Sequence, residues 1–224
     1  MRIVIRIGGS VIATPINPEL IGKYANIIQT IKEQGHKIVV VTGGGQLARE
    51  FIATAKKLDL EIRAQDEIAI SVSRLFAQLF LKKLADQACS KVATTLDEAA
   101  ECLETGKIAL MGGLKPGITT DTVAALVAER VNGDLLLKGT DQEGIYDKDP
   151  RKHKDAQKLD KLSFDDLQSV FAETAHKAGI HQIIDPEAVK VLKRKRVKLI
   201  VVNGFTPENI LAALNGEKVG TIVS

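Results

Sequence analysis

Five short runs along the chain are almost continuously apolar: RIVIRI at 2–7, KIVVVT at 37–42, KIALM at 107–111, DLLLK at 134–138 and VKLIVV at 197–202. Because they do not alternate between apolar and polar, each reads as a strand buried on both faces. Between them apolar residues recur at helical spacing, over 18–34 ahead of Gly35, over 46–58, over 66–86 and over 121–131. Thr95 with Glu98 has the spacing of a capping box and opens a helix that ends near Gly106; Ser163 with Asp166 marks another helix start. Strands alternating with helices predict an α/β fold, a mostly parallel sheet with helices on both faces. Nothing along the chain resembles a linker or a repeat, so 1–224 reads as one domain. The charged stretch 139–161 is the place where two lobes would divide.

Composition narrows the class. With 45% hydrophobic and 26% charged residues the chain is ordinary for a folded, soluble protein. A net charge of +3 is too small to mark a nucleic-acid binder, and the basic run 193–196 closes a helical pattern, where cations complement the dipole. No aromatic residues interleave with that run, so it offers no platform for stacking bases. No apolar run is long enough to span a membrane, and the opening MRIVIRIGGSVIATP is interrupted by Arg6, which suits a strand and not a signal peptide. A cytoplasmic protein with no nucleic-acid or membrane partner is expected. Cys89 and Cys102 have neither zinc-site nor framework spacing and read as buried free thiols. His36, His153, His176 and His181 are scattered without ligand spacing, and no metal site built from side chains is expected.

The candidate chemistry lies in the loops that follow the strands, since parallel sheets collect ligands at their carboxyl ends. These are Gly8-Gly9-Ser10, Gly43-Gly44-Gly45 with Arg49 one turn into the next helix, GGLKPGITTDTVAA at 112–125, and GTDQEGIYDKDP at 139–150. Glycines let a ligand approach bare amides, and a helix start adds unpaired N–H groups and a positive dipole end, so phosphate is the anion these loops suit. Each loop also has a plainer reading. Gly8-Gly9 serves equally as a tight strand-to-helix turn, Thr119-Thr120-Asp121 as a helix cap, and Asp147, Asp149 and Pro150 as a turn. Gly43, Gly45 and Ala48 satisfy the G-x-G-x-x-G/A spacing of a dinucleotide-binding turn, which would leave the other three loops without a role. No G-x-x-x-x-G-K-[ST] occurs, so a phosphoryl-transfer enzyme here is not of the P-loop kind.

With the loops in order, the chain resembles the amino acid kinase superfamily, and within it the archaeal-type UMP kinases. The likeness is carried by IGGSV at 7–11, VTGGGQLAR at 41–49, QDEIAI at 65–70, MGGLKPGITTDTVAAL at 111–126, GTDQEGIYDKDP at 139–150 and IIDPEAVKVL at 183–192. The resemblance implies a three-layer αβα sandwich, usually a homo-oligomer and a hexamer in this family, that makes UDP and ADP from UMP and ATP with Mg²⁺ in pyrimidine nucleotide biosynthesis. It implies an acceptor-binding part near 1–133 and an ATP-binding part near 134–224.

Carried over residue by residue, Gly9, Ser10, Gly45 and Arg49 would meet the ATP phosphates, and Gly44 the phosphate of UMP. Asp66 would take the ribose hydroxyls. The segment Leu114, Lys115, Pro116, Gly117, Ile118, Thr119 and Thr120 would wrap UMP, while Thr140, Tyr146 and Asp149 would line the adenosine pocket. Arg6, Arg49 and Asp185 would be the catalytic set, with Asp185 organising the basic groups. Many relatives place a lysine on the first strand where Arg6 stands here; arginine keeps the charge but not the compact ammonium. Sibling kinases of the same fold, acting on an acetylated amino acid, a carbamate or an isoprenoid phosphate, and a nucleotide sensor without chemistry remain alternatives. From this reading, Arg49→Ala is expected to cut turnover strongly and leave the fold intact; near-normal product formation in a steady-state assay would contradict the phosphate role.

Overall fold

In the computed structural model the chain is described over residues 1–167 and 183–224. The strands are β1 Arg2–Ile7, β2 Lys37–Thr42, β3 Ala109–Met111, β4 Leu135–Thr140, β5 Ile145–Tyr146, β6 Lys158–Leu159, β7 Lys161–Leu162, β8 Lys198–Asn203 and β9 Thr221–Val223. The main sheet runs β3-β2-β1-β4-β8-β9-β7. Its first five strands, the five legible as apolar runs, are mutually parallel. The added strand β9 pairs antiparallel with β8, and β7 parallel with β9. The stretch 139–161 is not bare loop, because β5 and β6 form a separate antiparallel ribbon inside it.

Helices α1 Gly9–Ile12, α2 Pro18–Glu33, α3 Gly45–Lys57, α4 Ile62–Leu84, α5 Leu96–Glu104 and α6 Thr120–Arg130 are followed later in the chain by the helices Pro186–Lys195 and Glu208–Leu214. The two-residue period of the strands sorts the core into two layers. Ile3, Ile5, Ile38, Val40, Leu135 and Leu137 meet Tyr24 and Ile28 of α2 and Phe76 and Phe80 of α4. Val4, Val39, Leu136, Leu199 and Val201 meet α5, α6 and the helix Pro186–Lys195. That is the expected sandwich of helix, sheet and helix. The same period puts Arg6 and Lys138, which are register partners on β1 and β4, on the α6 face.

Local chemistry sets the helix boundaries. Asn17 accepts from Leu20 N–H ahead of Pro18, and Thr95 accepts from Glu98 N–H while the Glu98 carboxylate takes the Thr94 N–H at 2.7 Å. Ser163 and Asp166 exchange hydrogen bonds as a reciprocal box, and the chain is helical from 164; beyond 167 that expected helix, with His176 and His181, lies outside the described residues. One expectation is corrected. Cys89 and Cys102 are joined in a disulfide, not free. The pairing is spatial: residues 88–93 run beside 108–111, through bridges Ala88 to Ile108 and Ala93 to Met111, and α5 lays Cys102 over them.

At the carboxyl edge the first-layer helix α2 is keyed to the sheet by Tyr24. Its ring is fully buried, burial pushes its phenol up in pKa, and its hydroxyl donates to the Gly204 carbonyl at 2.8 Å. Tyr24→Phe is expected to cost about 1–2 kcal/mol through the unpaired carbonyl, seen as a melting temperature a few degrees lower. An unchanged melting temperature would contradict this.

Candidate active site

The ends of the parallel strands interlock through their own backbone. Gly8 N–H donates to the Gly139 carbonyl at 2.9 Å, Gly43 N–H to Ile7 at 3.1 Å, and Gly204 N–H to Thr140 at 2.7 Å. Gly9 approaches Gly45 very closely: a methyl group on Gly9 would lie 2.1 Å from the Gly45 nitrogen, and Gly45 itself has φ of +57°. No other residue type fits that crossing, because both partners at the contact are backbone. The starts of α1 and α3 are thereby brought side by side, and in the first turn of α3 Gln46 N–H donates to Thr14 Oγ1 at 3.2 Å.

The charged centre lies beneath these loops. Arg6 Nε is 2.7 Å from Asp121 Oδ1, and its Nη2 donates to Thr120 Oγ1 at 2.9 Å. Its guanidinium lies against the first two loops, since a methyl group on Gly8 or Gly43 would come within 3.1 and 3.4 Å of it. Lys138 Nζ, inside a strand buried at every position, donates to the other oxygen of Asp121. Burial pushes the Asp121 carboxyl up, but the charges of Arg6 and Lys138 outweigh it and hold it below the usual carboxylate range. Burial draws the Lys138 ammonium down to about 8, helped by the charge of Arg6 and opposed by Asp121 and Asp185.

Asp185 sits one contact away. Its carboxylate accepts from Thr119 Oγ1 at 2.5 Å and Thr122 Oγ1 at 2.8 Å, and from Ala188 N–H at 2.9 Å as the cap of its helix. Thr119 in turn caps α6 by accepting from Asp121 and Thr122 N–H. The ion pairs of Arg6 and Lys138 thus go to Asp121, and Asp185 locks the start of α6 that carries Asp121.

Beside this centre is a cavity of about 160 Å³ lined by Gly44, Ala48, Asp66, Ala69, Ile70, Ser73, Gly113, Lys115, Ile118, Thr119 and Thr120. Most of the residues expected around the acceptor meet there. Asp66 Oδ2 accepts from Gly117 N–H at 2.8 Å and so fastens the middle of the 114–120 segment. The base of that segment is held by Arg74, which donates to the carbonyls of Gly113 and Leu114 at 3.0 and 3.1 Å, and by Ser73 Oγ, which accepts from Gly113 N–H at 2.7 Å. Arg49 is exposed on α3 and bonds Gln46 at 3.1 Å, while Glu67 is taken by Arg63. Ser10 lies in the first turn of α1. Thr140 ends β4, Tyr146 belongs to the ribbon strand β5, and Asp149 turns the chain by accepting from Arg151 N–H at 3.0 Å. The residues expected on the donor side are therefore spread along the sheet edge and do not line this cavity.

The comparisons with known proteins fit this geometry. The sequence model described as the amino acid kinase family matches residues 1–203. The chain belongs to the amino acid kinase family. Its relatives include the uridylate kinase of Methanocaldococcus jannaschii, 42% identical over 225 residues that span 100% of this chain and 99% of that protein. That of Methanothermobacter thermautotrophicus is 38% identical over 223 residues, 100% and 99% of the two chains. Among solved structures of the family, uridylate kinase from Archaeoglobus fulgidus superposes with a TM-score of 0.90 at 36% identity, covering 100% of both chains.

Asp121, Lys138, Ser73 and Arg74 are the site residues that reading the sequence passed over. Asp121 looked like a cap residue, and α4 offered only a helical pattern. Lys138 did carry a signal: a lone ammonium in an otherwise apolar strand requires a buried partner.

Proposed function

We infer that this protein is a UMP kinase, transferring the γ-phosphoryl group of ATP to UMP to give UDP and ADP in pyrimidine nucleotide synthesis. The observation that carries the reading is the acceptor cavity, which joins a carboxylate, Asp66, to the glycine and threonine N–H ends at Gly44 and Thr120. A ribose offers two hydroxyl donors to a carboxylate, and a phosphate suits the amides and helix starts. Full-length relatives named as uridylate kinases support the same acceptor.

The chemistry asked of the chain is modest. A phosphate oxygen of UMP is already a nucleophile near neutral pH, so no general base is needed, and the obstacle is repulsion between two anions. Positioning and charge neutralisation then supply the catalysis. In this reading Gly9, Ser10 and Gly45 hold the donor phosphates by their amides, Arg6 and Arg49 answer the charge between donor and acceptor, and Asp185 keeps α6 in place. Thr140, Tyr146 and Asp149 flank the adenosine. The acceptor part is roughly 1–133 and the donor part roughly 134–224.

Magnesium enters with the donor nucleotide. Among the described residues no group of three His, Cys, Asp or Glu side chains is placed to hold an ion, and the carboxylates nearest the charged centre are engaged by Arg6, Lys138 and the threonines. A Mg²⁺ bound mainly by phosphate oxygens and water fits such surroundings. Assembly as a homohexamer and a cytoplasmic location belong to the same reading. Exposed apolar side chains on and between α3 and α4, among them Phe51, Leu58, Ile62 and Leu75, support self-association.

Incubation with ATP and Mg²⁺ is expected to give UDP and ADP with UMP, and far less product with CMP, dUMP or acetylglutamate; product with acetylglutamate and not UMP would overturn the acceptor. Asp66→Asn is expected to raise the KM for UMP roughly tenfold or more and to spare that for ATP. A change confined to ATP would reverse the two subsites.

A further inference from the structure

We propose that Lys138 is a positioning residue, holding Asp121 from within the sheet so that Arg6 is free to move onto the donor's terminal phosphate during transfer. This rests on the UMP kinase reading. The argument starts from two cations that share one carboxylate unequally. Lys138 is 3% exposed at its side chain, and its ammonium is engaged by Asp121. Arg6 is longer and 14% exposed. Its guanidinium already lies against Gly8, Gly43 and Thr120, where the phosphates are expected.

If Arg6 were the sole partner of Asp121, turning it toward a phosphate would strand a buried carboxylate without a counter-charge, which is strongly unfavourable. With an ammonium on the other oxygen, the carboxylate stays paired when Arg6 leaves. The Lys138 proton is thus what makes Arg6 available. Among the described residues, the charged groups facing Lys138 are Arg6 from β1, Asp121 from α6 and Asp185 ahead of the helix Pro186–Lys195. These set its titration near 8. Below that pH the ammonium is present and Arg6 is mobile; above it Asp121 depends on Arg6 alone and retains it.

The test is kcat at saturating ATP and UMP between about pH 6.5 and about pH 9.5, near the ordinary range of such side chains, for the wild type and for Lys138→Met. The wild type is expected to lose activity as pH rises through about 8. Lys138→Met is expected to have kcat about a hundredfold lower at neutral pH, KM values close to wild type, and no fall through that range. A purely structural role would lower the melting temperature but leave the alkaline fall where it was. Wild-type kcat in the variant, or an alkaline fall that persists in it, overturns the proposal. Should Lys138→Met not fold, Asp121→Asn reads the same link: without the carboxylate nothing retains Arg6 when the ammonium loses its proton, so the alkaline fall disappears, whereas a fall that persists overturns the proposal. A wild type that makes no UDP at any pH defeats the UMP kinase reading itself, and this inference with it.

Discussion

A carboxylate removed from water is costly unless its charge is answered, and in this protein Asp121 is answered twice. Arg6 reaches it from β1 and Lys138 from β4, two neighbouring strands in direct register. Asp121 itself sits in the first turn of α6, whose cap Thr119 is fastened to Asp185 at the start of the following helix. One charge cluster therefore ties two central strands to two helices of the same layer, at the sheet edge where the loops converge. Losing Asp121 would leave the buried Lys138 ammonium without its partner, so this carboxylate holds the geometry of the sheet edge above it.

Above the cluster the constraint is steric. The crossing of Gly9 over Gly45 leaves no room for a side chain, and the hydrogen bonds from Gly8 to Gly139 and from Gly204 to Thr140 stitch neighbouring loops together. The result is a rim of backbone amides over a cationic floor. Such a surface suits a chain of phosphates, and the flanking cavity at Asp66 is where the proposed reading seats the ribose of UMP. The 114–120 segment closes this cavity because Asp66 and Arg74 hold it at its middle and its base.

Much of this was legible before any coordinates, for identifiable reasons. The five parallel strands announce themselves because burial on both faces makes them continuously apolar. The short strand β9 and the ribbon β5 to β6 span only two or three residues and carry no such signal. Gly9, Gly44, Gly45 and Asp66 are visible as loop chemistry after strands or as part of a family motif. Asp121 is not, because an acidic residue in the first helical turn has an ordinary explanation as a dipole partner. Lys138 stands at the end of an apolar run, and its signal, an ammonium within a buried strand, emerges only because β4 continues, buried, to Thr140. The Cys89 to Cys102 bond escaped for a different reason: it depends on two segments lying side by side in space, which spacing along the chain does not encode.

The most direct test of the account is a crystal structure with UMP and a non-hydrolysable ATP analogue bound together. The account predicts the UMP ribose on Asp66, its phosphate between Gly44 and Thr120, and the analogue's terminal phosphate against Gly9 and the Arg6 guanidinium, with Lys138 still on Asp121. A UMP bound away from the Asp66 cavity, or a terminal phosphate remote from both Gly9 and Arg6, would contradict it.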